Sequence, residues 1–142
     1  MHPNEKAFRE ALDKFNARDY EAASQYFSED LVWHYPCRNP LQGVYHGREG
    51  LIDFFTRLYD MSGGAVKADT VHMLADDTHV VRIARIHFEP GGKLVEWMGA
   101  SVCTVDGDGL VNEAWIYEDD VEVSKIFEAM AHGGGAPPPA DG

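Results

Sequence analysis

The sequence is short of positive charge. Its 12 Lys and Arg stand against 24 Asp and Glu, for a net charge of -12. A surface of that sign repels phosphate backbones and anionic lipid, so neither nucleic acid nor a membrane surface is an expected partner. Cysteine is scarce as well. Cys37 and Cys103 are far apart with no CxxC, and they read as reduced thiols of a cytoplasmic protein. No run of about 18 apolar residues occurs, so no membrane-spanning helix is expected. Residues 1–10 lack the apolar stretch of a leader peptide. Metal-binding patterns are missing too. Seven histidines are present, but there is no HExxH and no close His or Cys pair. His79 and His87 share a strand face about 26 Å apart, too far to hold one ion. Asp106-Gly107-Asp108-Gly109 is superficially a calcium loop, yet its twelfth position is Tyr117 and not Glu, so a hairpin turn is the better reading. The glycines follow no phosphate-cradling pattern. Neither a metal nor a cofactor is expected.

What is present fits one domain. The 142 residues are 44% hydrophobic, enough for a core without disulfides. Phe8, Ala11, Leu12 and Phe15 recur at helical spacing, and that helix should end near Arg18. Asp19 can cap a second short helix bearing Ala22, Ala23, Tyr26 and Phe27. Leu31–Tyr35 is aromatic and β-branched and stops at Pro36, so it reads as a strand. Residues 37–47 read as a loop. Leu51, Ile52, Phe54, Phe55 and Leu58 mark a third helix, closed by Gly63-Gly64.

Four strands are then expected, at Val66–Ala75, His79–Phe88, Leu94–Val105 and Leu110–Tyr117. Explicit turns separate them, giving an antiparallel meander. A last helix should start near Asp119 and reach about Met130. The tail, residues 132–142, has nothing to bury and should be disordered, leaving one domain over residues 1–131. Both faces of the strands are apolar. Helices can cover one face, and a second copy of the chain is the expected cover for the other, a homodimer through the sheet.

This order of elements resembles the nuclear transport factor 2-like superfamily, an α+β fold with a curved, mostly antiparallel sheet closed into a cone by three N-terminal helices. VWHYPCRNPLQGVYHGREGLIDFF is similar to the family's strand, Pro-containing loop, G-x-Y-x-G-R-E segment and third helix. ADDTHVVRIAR resembles its second hairpin, and DGDGLVNEAWIYED its last turn and strand. The resemblance covers roughly residues 5 to 130 and points to the SnoaL-like branch, related to ketosteroid isomerases and polyketide cyclases. It implies a pocket for a small molecule; the fold itself hosts many chemistries.

Carried over position by position, the family's best-known catalytic groups are absent. The isomerase positions for a Tyr donor, an Asp base and an Asp oxyanion donor fall on Ala11, Tyr35 and Ser101. An isomerase chemistry built on pKa-tuned carboxylates therefore has no counterpart at those places. The epoxide hydrolase positions keep the cation, Arg82, but put Ala84 and Ile116 where two Asp should stand. No Asp lies inside any of the last three strands.

The resemblance sets strand parity, which places Arg82, Ala84, Ile86 and Phe88 in the pocket. Trp97, Gly99, Ser101 and Cys103 follow on the next strand, then Asn112, Ala114, Ile116 and Glu118 on the last, with His34 joining from the first. His34 is the expected proton carrier, because imidazole titrates near neutrality; its bland alternative is a structural hydrogen bond. Arg82 is the expected stabiliser of negative charge, or else half of an ion pair, for instance with Glu118. Trp33, Tyr35, Tyr59 and Trp97 would stack on a flat ligand or simply pack the core. Cys103 reads as a small buried hydrophobe. Two functions remain open. One is a cofactor-independent isomerase, cyclase or dehydratase acting on a polyketide- or terpenoid-like molecule. The other is a non-catalytic ligand-binding or dimerisation module.

Overall fold

Pro3 opens the first helix, α1 (Pro3–Asn16), where its missing N–H costs nothing. His2 caps it, its Nδ1 accepting from the Asn4 N–H at 3.0 Å. The helix buries Phe8, Ala11 and Phe15, the face the spacing marks. Arg18 reverses the chain at φ 62°. Asp19 then caps α2 (Tyr20–Ser24), its Oδ1 accepting from Ala22 N–H at 3.2 Å. In this computed structural model residues 1–118 are described. The expected last helix and the tail, residues 119–142, lie outside the described residues.

The first strand, β1 (Phe27–Tyr35), starts earlier than LVWHY alone implies. A short strand, β2 (Gly43–His46), runs through the segment expected to be loop and pairs antiparallel with β1. Helix α3 (Gly47–Met61) follows and buries Leu51 and Phe54. Gly63 and Gly64, at φ 63° and 79°, turn the chain out of it. Then come β3 (Lys67–Ala75), β4 (His79–Phe88), β5 (Val95–Val105) and β6 (Val111–Glu118). The expected bounds of these strands are met within one residue.

The six strands form one sheet in the order β2-β1-β6-β5-β4-β3. All neighbours are antiparallel except β1 and β6, which run parallel. Register breaks interrupt β1, β3 and the β5–β6 pair. Extra residues at such points increase local twist and bend a sheet. The three helices lie on the concave face. Phe54 of α3 meets Tyr35 edge-on at 4.9 Å and Trp33 at 5.4 Å, while Phe55 stacks on Phe15 of α1 at 4.0 Å. These aromatic contacts hold the helices against the sheet but do not fill the bowl.

The convex face carries no helix among the described residues. One cross-strand row, Leu74–Val81–Val102–Trp115–His34–Val44, spans all six strands. Leu74 is 67% exposed, and Val44 and Tyr117 about half exposed. Among the described residues no helix is long and apolar enough to cross a membrane.

Candidate functional site

Between the concave face and helices α1 and α3 lies a cavity of about 120 Å³. At roughly 10–15 Å³ of such space per water, it has room for a molecule of one to three rings. Its walls are mostly aromatic and aliphatic, Phe15, Trp33, Phe54, Phe55, Tyr59 and Trp97 among them. Asn16 and Lys67, both exposed, line the side open to solvent.

Most of the residues that the resemblance sends inward line this cavity. Arg82, Ala84, Ile86, Trp97, Ser101, Ile116, Glu118, Trp33, Tyr35 and Tyr59 all face the cavity. Two expected residues do not. His34 points to the convex face, where its Nε2 meets Glu113 Oε2 at 2.8 Å and its ring stacks on Trp115 at 5.3 Å. The cause is strand geometry: alternate residues face opposite ways, so Trp33, His34 and Tyr35 cannot all turn inward. Asn112 is the second correction. Thr104 pairs with Glu113 and Val105 with Val111, so Asn112 is the unpaired residue of a bulge. Its amide oxygen accepts from the Thr104 hydroxyl and it does not reach the cavity. Phe88, Cys103 and Ala114 face inward as expected but are packed into the core around the cavity.

The polar groups gather at two places. At one, the buried Tyr35 hydroxyl donates to Glu118 Oε1 at 3.1 Å and accepts from Asn39 Nδ2 at 2.9 Å. Asn39 is itself fixed, its Oδ1 accepting from the Leu41 N–H at 2.9 Å. Burial, reinforced by the Glu118 charge, holds the Tyr35 phenol well above its ordinary pKa, with the Asn39 hydrogen bond opposing. Tyr35 therefore stays a donor, and Glu118 is its acceptor. Nearby, the Cys37 thiol donates to the Ile116 carbonyl at 3.6 Å and is pushed up to about 11, mainly by burial.

At the other place stands Arg82. Its Nε donates to Thr70 Oγ1 at 2.9 Å and its Nη2 to the Ala68 carbonyl at 3.3 Å. Burial lowers its pKa; Tyr59 and Asp69 act the other way. The ion pair with Glu118 is not formed: among the described residues Arg82 meets no carboxylate at salt-bridge distance. Tyr59 lies between cations, with the Arg18 guanidinium 3.4 Å from its ring centre. Cys103 is fully buried and pushed up to about 12 by burial, so it is an inert thiol, as its apolar surroundings suggest.

Sequence reasoning missed Asn39, because the segment that holds it reads as plain loop. It placed Glu118 in the lining, as a ligand contact or a partner for Arg82, but gave its carboxylate no proton role. Among the described residues no group of three or more metal-ligating side chains converges.

The SnoaL-like domain model matches residues 8–114, and the chain belongs to that family. Among solved structures it is similar to Bal32a, from a soil-derived mobile gene cassette. That likeness has 28% identity over 87% of this chain and 95% of the other, with a TM-score of 0.78. It is also similar to TerC, co-crystallised with polyporic acid, at 20% identity over 89% and 99% of the two chains, TM-score 0.77. A SnoaL-like polyketide cyclase candidate from Shewanella putrefaciens CN-32 gives 19% identity over 90% and 86%, TM-score 0.66. At these last two identities the likeness is one of fold. No functionally curated protein matches the chain.

Proposed function

We propose that this SnoaL-like protein binds a small, mostly apolar, oxygenated molecule and moves a proton on it without a cofactor, as an isomerase, cyclase or dehydratase does. The observation that carries the reading is a carboxylate and a guanidinium facing one largely apolar cavity from different strands. Glu118 is the base in this scheme. Tyr35 is a positioning residue, holding that carboxylate by a hydrogen bond while remaining protonated. Arg82 stabilises the oxyanion that forms when a C–H beside a carbonyl is deprotonated. The proton role expected of His34 passes to Glu118, because only the latter reaches the cavity. Polyketide- and terpenoid-like molecules fit the walls, and the same fold in TerC was crystallised with polyporic acid.

The test is proton exchange. Cyclic β-diketones and polyketide-like enones that bind, as judged by a thermal-shift screen, are incubated in D2O and followed by NMR. Glu118→Gln should slow exchange by about 10²- to 10⁴-fold, the usual contribution of a positioned base, with binding retained. Binding without any exchange in the native protein would favour the non-catalytic binding module instead.

The homodimer belongs to the same reading. The apolar row on the convex face would pair with the same row of a second copy, an isologous arrangement. A cytoplasmic setting suits two buried, unpaired thiols.

A further inference from the structure

The charge inside the cavity runs against that of the whole chain. The protein carries -12, yet among the described residues the guanidinium of Arg82 is held by neutral oxygens only, from Thr70 and Ala68. Such partners orient a cation without neutralising it. Its Nη1 donates to no described residue. The titratable groups around it do little to offset it. Tyr59 and Cys103 have their pKa values raised chiefly by burial, so both are neutral. Asp69 is bonded to His87 at 2.9 Å on the convex face. Arg9, tied to Glu5 at 2.9 Å, adds charge of the same sign. Lys67 lines the cavity beside Ala68. A partly buried cation left without a counter-charge is costly, and an anion on a ligand removes that cost.

We infer that the cavity selects a flat, apolar molecule bearing one acidic oxygen group, and that Arg82 is where this group docks. The inference rests on the cavity being a small-molecule site and names the chemistry of its occupant. A guanidinium fork matches a carboxylate, or the paired oxygens of a β-diketone enolate, through two parallel hydrogen bonds. Apolar walls strengthen that attraction relative to water. The rings of Trp33, Phe55 and Trp97 offer flat apolar surface. The buried indole N–H of Trp33 finds no acceptor among the described residues.

The sheet register supplies the spacing. Arg82 is level with Ser101 and Ile116, and Glu118 is level with Gly99 and Ala84. Two strand gaps and two residues put the Arg82 and Glu118 Cα atoms about 12 Å apart. The two side chains thus enter the cavity from separate strands, and a ring body whose acidic oxygen sits on Arg82 spans the gap towards Glu118.

The experiment compares 2-naphthoate with its neutral counterpart 2-naphthamide by titration calorimetry, with the Trp33 indole N–H followed by NMR. The acid should bind at least tenfold tighter than the amide. Arg82→Met should erase that preference by weakening the acid at least tenfold more than the amide, and Arg82→Lys should keep part of it. Melting curves check that each variant folds; should Arg82→Met not fold, Arg82→Gln takes its place. Equal binding of acid and amide to the native protein would overturn the inference while leaving the small-molecule reading intact. Equal loss of both in every Arg82 variant would overturn it as well, by making Arg82 a structural residue. No binding of either would overturn both readings.

Discussion

The hydroxyl of Tyr35 and the carboxylate of Glu118 meet at 3.1 Å although 83 residues separate them in the chain. Neither is a conspicuous catalytic candidate by itself. Together they place a carboxylate, held by a donor that burial keeps protonated, in the wall of a mostly apolar cavity. Tyr35→Phe removes that donor and leaves Asn39 without its acceptor. It should cost about 1–3 kcal/mol of stability, read by urea unfolding. Proton exchange on a bound β-diketone should slow, as NMR in D2O would read.

His34 offers the reverse outcome. It lies on the convex face against Glu113 and Trp115. His34→Ala should therefore leave the affinity of a cavity probe within about twofold, measured by calorimetry. A tenfold loss would show that the convex face reports on the cavity.

Alkaline stability follows from the raised thiols and phenol. Cys37 and Cys103 are held near 11 and 12 against an ordinary value of 9, and Tyr35 is raised above its usual 10. In the unfolded chain these groups lose protons first, so the unfolded state binds fewer protons above pH 9. Stability is complete below that pH and falls as pH rises, by up to about 1.4 kcal/mol per pH unit for each group. Urea midpoints between pH 8 and 10.5 should show the decline. Cys103→Ala should make it shallower even though the variant is weaker throughout.

Gly99 sets the depth of the cavity floor. A Cβ there would lie 2.7 Å from Ile86 Cδ1 and 3.3 Å from the Tyr117 carbonyl. Ile86 Cδ1 is the far end of a flexible side chain and can turn into the cavity that it lines, so the added methyl takes cavity space more than it strains the fold. Gly99→Ala should destabilise by no more than about 1 kcal/mol and weaken binding of two-ring probes more than one-ring probes. Adding Ile86→Val should recover part of both, as calorimetry and melting curves would reveal.

The convex row makes a prediction about assembly. Val102 sits at its centre, between Val81 and Trp115. Val102→Glu should convert a dimer to a monomer in light scattering with cavity binding preserved. A native protein that is already monomeric would remove the proposed pairing.

The sequence marks the elements well because their signals are local. Asp19, Gly63-Gly64 and the three hairpin turns punctuate the chain, but both faces of β4 and β5 are apolar, so which of their residues turn inward comes from the family resemblance and not from patterning. The site is harder to read. His34 attracts notice by its chemistry, yet Trp33 and Tyr35 on either side already claim the inward face. Asn112 obeys parity until a bulge removes it, and a bulge leaves no mark in its own sequence. The Tyr35–Glu118 contact depends on β1 and β6 lying side by side. Such a nonlocal parallel pairing has no local signature, and only the family resemblance anticipates it.

That parallel pairing also sets an order of events for the chain. Residues 27–35 can find β2 as soon as residue 46 is made, but their other edge stays open until residues 111–118 arrive. Pairings this distant are slow to form. Before then the concave face has lost a strand from its middle, the cavity has no Glu118, and an apolar strand edge is exposed to any similar chain. Among the described residues the cavity is thus the last part to be completed, and the period of greatest risk for misassociation ends when its wall closes.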